Sequence, residues 1–349
     1  MAKVALHGVN LSGWLSLKPW ITPEYFAEAG VLDEIDMTRA LPRDSYRELI
    51  EYHRAHFIEQ RDFKEIAARG FNAVRLLVPW YASENLTSIA HPFVPCTKEL
   101  DNAFDWADDL GLKIVLVLDI SPGKEGKLSQ INHAFSSFSL YKKDALNILS
   151  ALARRYRYRA CLAAIELAND PYVEKTLPFM PARGVAIHLL RNYYREGYYA
   201  VRACAGDDVQ VIMPDAHQPS MWRVFMTAGS YRNTALDVHL DHFSDYFEMR
   251  QVLTTQALIA SSKRHLDTAK KSGFSLVIGS WCAALPGVDT TTTPEGRIAL
   301  ERMYTSSQLK LFSSADAWFF QTWKTQGRLS GWDARMTFSA FERRMISAS

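Results

Sequence analysis

Eight short apolar runs, each followed by a stretch with helical spacing, recur along this chain and limit its fold more than any other feature. The candidate strands cover residues 7–11, 72–78, 113–120, 162–169, 209–214, 235–240, 275–279 and 317–322. The intervening stretches 61–70 and 100–111 carry apolar residues at three- and four-residue intervals. They close on Gly70 and Gly111, residues suited to a left-handed helix stop. Strand–helix alternation with no second composition regime predicts a (β/α)8 barrel, with residues 1–349 forming a single domain. A doubly wound sheet is the competing arrangement, but no glycine-rich phosphate loop follows an early strand.

In a barrel of parallel strands, chemistry is built at the carboxyl ends. The stretch Ile165, Glu166, Leu167, Ala168, Asn169, Asp170, Pro171 reads as a strand packed on both sides and stopped by Pro171, which has no N–H for the ladder. It leaves an amide and a carboxylate side by side at a strand end. On the sixth strand, alternation puts Asp237, His239 and Asp241 on one face and Val238 and Leu240 on the other. The apolar set suits the helices and the polar set the mouth. A metal site from His239, Asp241 and His242 is disfavoured, because the same alternation turns His242 away. No metal and no cofactor are expected.

The aromatic residues point to a carbohydrate ligand. Trp14, Trp20, Trp80, Tyr81, Trp222, Trp281, Trp318, Trp323 and Trp332 lie at or near proposed strand ends and loops. Flat aromatic faces beside a few directional polar groups suit pyranose rings, although some of these side chains are expected to plug the core. Charge argues against other partners. Forty basic and 38 acidic residues, net +2, are interspersed, which fits a solvated exterior rather than a nucleic-acid or anionic-membrane surface. The longest apolar run, residues 114–118, is too short to span a bilayer, and residues 1–8 lack the apolar core of a secretory signal. Cys96, Cys161, Cys204 and Cys282 are scattered without metal spacing, as expected of free thiols in the cytoplasm.

Taken together in order, these residues resemble glycoside hydrolase family 5, in particular its exo-β-1,3-glucanase branch. Gly8-Val9-Asn10-Leu11-Ser12-Gly13-Trp14 and Pro19-Trp20-Ile21 are similar to that branch's opening. Asn72-Ala73-Val74-Arg75-Leu76 is similar to its second strand with the family arginine, and Leu100-Asp101-Asn102-Ala103 with Pro122-Gly123 to the third unit. Residues 165–171 resemble the strand that carries the family's Asn-Glu-Pro. Asp215-Ala216 with Pro219 and Trp222, then Asp237-Val238-His239, then residues 318–325 follow in order. The resemblance implies retaining hydrolysis. One glutamate protonates the leaving oxygen, and a second, roughly 5–5.5 Å away, attacks the anomeric carbon. It also implies that Asn169 meets a sugar hydroxyl, and that Arg75 and the tryptophans Trp20, Trp222, Trp281 and Trp323 line the substrate pocket.

The chain departs from that pattern at the catalytic positions. Ser280 stands where the resemblance implies the nucleophilic glutamate, and Asp170 where it implies the acid/base. A serine hydroxyl is a weak nucleophile without an activating base. Asp170 is one methylene shorter, and a displacement of ~1 Å at a reacting group can cost a hundredfold. Asp119 replaces a histidine, Asp241 a tyrosine and Lys18 a glutamate. Three new carboxylates need counter-charges if buried, and Lys18, Arg75 and His239 are the available ones. The pocket therefore reads as rebuilt.

Three functions are compatible with this pocket. One is a carbohydrate-active enzyme in which Asp241 activates water and Asp170 donates the proton, an inverting scheme needing a separation of ~6.5–9.5 Å. A pairing of Ser280 with His239 as nucleophile and base is a variant. The second is a sugar-binding protein without turnover, and the third a barrel enzyme with a non-glycosidic substrate. A serine at position 280 is also what an engineer would install, but the other departures argue against that origin.

Overall fold

The computed structural model describes residues 4–83, 92–120, 134–173, 184–227, 229–243, 254–286 and 293–338, with backbone only at 120 and 134–141. Pro122-Gly123 lies outside the described residues. Strand β1 (Leu6–Asn10) is followed by helices α1 (Pro23–Ala29), α2 (Glu34–Ala40), α3 (Arg43–Phe57) and α4 (Gln60–Ala68) before β2 (Ala73–Pro79). Then come α5 (Thr97–Leu110), β3 (Lys113–Ile120), α6 (Ala134–Tyr156), β4 (Leu162–Glu166), α7 (Ile187–Ala205) and β5 (Gln210–Pro214). The last units are β6 (Thr234–His239), α8 (Thr255–Lys270), β7 (Ser275–Trp281), α9 (Pro294–Phe312), β8 (Ala317–Phe320) and α10 (Ala334–Thr337). All eight strands pair in parallel with their sequence neighbours, and β8 closes onto β1. The chain is a (β/α)8 barrel.

Alternation along the strands sorts residues between two cores. Outward residues such as Val74, Leu76, Val78, Val238 and Ile278 pack under the helices. Inward residues Ala73, Val115, Val117, Ala164, Ile212, Ala235, Val277, Ala317 and Phe319 fill the barrel itself. The fill is mostly small side chains around one large ring. At Gly8 a Cβ would come within 2.6 Å of the Phe319 ring and of Ala73 O, so glycine there leaves the ring its space. Gly70 and Gly111 do stop α4 and α5, with φ of 95° and 68°.

Two segments differ from the sequence reading. Strand β4 ends at Glu166, short of Asn169 and Pro171. Irregular pairing continues past it, with Leu167 N donating to Ile212 O and Asn169 N to Leu118 O, so the chain bends toward the mouth before the proline. Between β5 and β6 the described residues form a 3-10 turn (Pro219–Trp222) in place of a crossover α-helix. Ala216, His217, Val224 and Met226 there all take positive φ, and such a sequence of left-handed residues cannot propagate a helix.

Candidate active site

Directly above the apolar barrel fill lies an inward polar layer centred on Arg75 of β2, which is fully buried. Its Nε and Nη2 donate to the two Glu166 oxygens at 2.9 and 2.7 Å, Nη1 to Asn10 Oδ1 at 2.9 Å and Nη2 to Asn169 Oδ1 at 3.0 Å. Asp237 Oδ2 lies 3.4 Å from Nη2. The planar guanidinium fork matches the Glu166 carboxylate, which is why arginine suits this position. Burial pushes the Glu166 carboxyl up, against the pull of Arg75. At Gly279, on β7, a Cβ would collide with both Asp237 oxygens, and the Gly279 N–H donates to Asp237 Oδ1.

The layer extends to one side through Asn169. Its Nδ2 donates to Asp119 Oδ1 at 2.7 Å, and Lys18 Nζ reaches Asp119 Oδ2 at 2.7 Å. Lys18 therefore answers Asp119. Lys18, Asp119, Asn169 and Arg75, which the resemblance implies share a pocket, form one connected chain of contacts. The lysine is its accessible end, with 26% of its side chain exposed.

On the other side stands Asp170, held at φ 47°. Its Oδ1 accepts from His217 Nε2 at 2.7 Å and faces His239 Nδ1 at 3.2 Å. His239 Nε2 contacts Asp237 Oδ2 at 3.0 Å, so both of its nitrogens are engaged. Burial works to raise Asp170, but His239 and His217 outweigh it and hold the carboxyl well below its usual range. Burial works to lower His239, and Asp237 and Asp170 outweigh it and lift the ring well above its ordinary value. The two rings favour the ionised form of this carboxyl.

Ser280 and Asp241 complete the mouth. Ser280 pairs in register with His239 across β6 and β7, and Leu240 N donates to Ser280 O at 2.8 Å. Among the described residues its Oγ makes no hydrogen bond, and both His239 nitrogens face carboxylates. Asp241 Oδ1 accepts from Phe243 N at 3.2 Å. Burial, reinforced by the negative charge of Asp170, raises its carboxyl. Of the three new carboxylates it is the one without an ion-pair partner among the described residues.

The tryptophans need the largest correction. Trp222, Trp281 and Trp323 are fully buried and present no face to a ligand. Trp222 donates Nε1 to Asp215 O, Trp323 donates Nε1 to Asp62 Oδ1 at 2.8 Å, and Trp281 packs among Phe312, Trp318 and Phe320. Their volume made them core. Trp20, 38% exposed, does lie at the mouth. It sits 5.2 Å from Trp332, which sits 4.7 Å from Phe243. These three rings, from loops after β1, β8 and β6, form the aromatic surface beside the polar layer.

Glu166, Asp237 and His239 offer ligand atoms within 4.8 Å of one another. Arg75 already bonds both carboxylates and supplies the positive charge there, so the donor set does not fit a metal. His242 turns outward to Ser262 Oγ at 2.7 Å, as alternation requires. The residues that sequence reasoning missed are Glu166 and His217. A glutamate inside an apolar strand is itself a signal, since a buried charge needs a partner. His217 had none, because its position depends on two successive left-handed residues in a loop.

The family model described as "Cellulase (glycosyl hydrolase family 5)" matches residues 46–300. A probable glucan 1,3-beta-glucosidase from Arthroderma benhamiae is 28% identical over 94% of this chain and 86% of that protein. Among solved structures, rutinosidase from Aspergillus niger superposes with a TM-score of 0.76 at 16% identity, covering 99% of this chain and 97% of that one. A family 5 enzyme from Prevotella bryantii B14, solved in complex with a xyloglucan tetradecasaccharide, gives 0.65 at 14% identity, covering 99% and 96%. At these identities the solved structures speak to the fold.

Proposed function

This chain belongs to glycosyl hydrolase family 5, and we propose that it binds a short β-glucoside or oligosaccharide at the barrel mouth and cleaves it by direct attack of water, with inversion. The reading is carried by Ser280, small and uncharged on β7 where the resemblance implies the family's nucleophile, together with the raised carboxyl of Asp241 at the end of β6. A serine leaves room for a water where a glutamate side chain would stand. Asp241, brought by burial toward the working pH, is suited to take that water's proton. The names of the curated relatives favour a β-1,3-linked glucoside. Lys18 offers a partly exposed polar group for ring hydroxyls, and Trp20 with Trp332 and Phe243 supplies the stacking surface.

A second reading, sugar binding without turnover, draws support from one observation: Asp170 lies between two imidazole rings, which favour its ionised form. One experiment separates the two. Aryl β-glucosides and laminari-oligosaccharides are incubated with the protein, the product anomer is followed by NMR, and binding is measured by calorimetry. An initial α-anomer supports inversion. Binding without turnover supports the second reading, and an initial β-anomer refutes the proposed mechanism.

A further inference from the structure

We propose that His217 is the proton donor to the leaving group, with Asp170 as the carboxylate that holds and orients it. The inference rests on the reading of hydrolysis by direct displacement. Two rings face Asp170, and the geometry distinguishes them. His239 uses both nitrogens, one on Asp170 and one on Asp237, and its side chain is 9% exposed. His217 uses only Nε2, at 2.7 Å from Asp170, and its side chain is 23% exposed. Among the described residues its Nδ1 has no hydrogen-bond partner.

An imidazolium with one N–H given to a half-buried carboxylate and the other free is the arrangement of a carboxylate–histidine dyad, in which the anion fixes the ring and stabilises its charged form. The backbone is bent to produce it. Ala216 and His217 take φ of 53° and 58°, and His217 N donates to Asp215 Oδ1 at 2.9 Å, closing the turn. Left-handed non-glycine residues are costly and concentrate where the fold must aim a group. Tyr172 stacks on the ring at 4.4 Å between centroids and 15° between planes, fixing its orientation.

The groups facing His217 are Asp170 beyond β4, Asp215 beyond β5, and His239 and Asp241 from β6 and its end, with Tyr172 on the ring face. Burial and His239 work to lower the ring's pKa, and Asp170 with Asp215 outweighs them, so it is raised. In the step itself, the Nδ1 proton passes to the glycosidic oxygen as the anomeric C–O bond breaks. Water forms the new C–O bond, and its proton passes to Asp241. Exchange with solvent restores both groups.

The test compares 2,4-dinitrophenyl β-glucoside, whose leaving group needs no protonation, with methyl β-glucoside and laminaribiose. His217→Gln is expected to lose about 10²–10⁴-fold on the latter two and less than about tenfold on the first. In the wild type, kcat/KM should fall as pH rises through the His217 pKa. Asp170→Asn, which removes the anion holding that pKa up, should move this limb to lower pH. Laminaribiose affinity and circular dichroism check that His217→Gln is folded; if it is not, the Asp170→Asn limb decides alone. Equal loss on all three substrates, no loss, or an unmoved limb overturns the donor assignment while displacement by water stands. A wild type that turns over none of them removes the displacement reading and the donor role with it.

Discussion

Replacing Arg75 by methionine should show how tightly the polar layer is tied together. The guanidinium makes four hydrogen bonds of 3.0 Å or less, two to Glu166 and one each to Asn10 and Asn169, and it also faces Asp237. Hydrogen bonds to charged groups contribute roughly 1.5–3 kcal/mol each, and these share one desolvated group, so they do not sum. Removing one partner of a buried ion pair costs about 3–5 kcal/mol, and that range is expected for Arg75→Met. Most of the loss comes from stranding Glu166 beside Asp237 without a counter-charge. A second substitution, Glu166→Gln, should therefore cost much less in the Arg75→Met background than alone, with a coupling of about 1–3 kcal/mol. Urea unfolding at pH 7, followed by both tryptophan fluorescence and circular dichroism, measures the four corners of this cycle. A loss below ~1 kcal/mol for Arg75→Met, or strict additivity in the double variant, refutes the argument.

The stability difference between wild type and Asp170→Asn should depend on pH. The Asp170 carboxyl is lowered on folding, so its contribution is complete above about pH 4 and is lost as pH falls through the folded value. His217 and His239 are raised, so theirs is complete below about pH 6.5 and is lost as pH rises through the folded values. The difference, read from denaturation curves at each pH, is expected to peak between these limits; a flat profile contradicts the ion-pair assignment. Trp20→Ala should weaken laminari-oligosaccharide binding about tenfold, equivalent to ~1.4 kcal/mol, while changing stability by less than ~0.5 kcal/mol. Trp281→Ala, in the core, should instead cost about 3–5 kcal/mol of stability. Calorimetry and thermal unfolding on the same pair of variants check both. Lys18→Met leaves Asp119 without its 2.7 Å ion pair and should lower both stability, by ~1–3 kcal/mol, and sugar affinity; unchanged affinity would remove Lys18 from the pocket.

The barrel was legible because its signals are periodic. Eight apolar strands alternate with amphipathic helices, and inward polar residues such as Asp237 and His239 interrupt the strands at their carboxyl ends. Arg75, Asn169, Asp119 and Lys18 were drawn into one pocket by the resemblance to family 5, position by position, and by no periodicity of their own. The tryptophans were not. A side chain near a strand end can turn to the mouth or to the helices, and Trp281 and Trp222 turned to apolar packing that no spacing announces. His217 was illegible for a different reason. It lies in a non-helical β5–β6 connection whose left-handed turn carries no periodicity, so its contact with Asp170 exists only in three dimensions.

The close approach of Gly279 to Asp237 restricts the order in which this site can change. While Asp237 keeps its carboxylate against the β7 backbone, no side chain fits at position 279, and every replacement there fails regardless of its chemistry. A route that exchanges Gly279 must first shorten or remove Asp237, and doing so releases His239 from one of its two anions. Ser280, the very next residue, already carries a side chain at that strand end and has no side-chain hydrogen bond to lose among the described residues. Adjacent positions on one strand thus differ sharply in mutational freedom. In a laboratory selection for new activity, position 280 should accumulate substitutions early, and position 279 only in lineages that have already altered position 237.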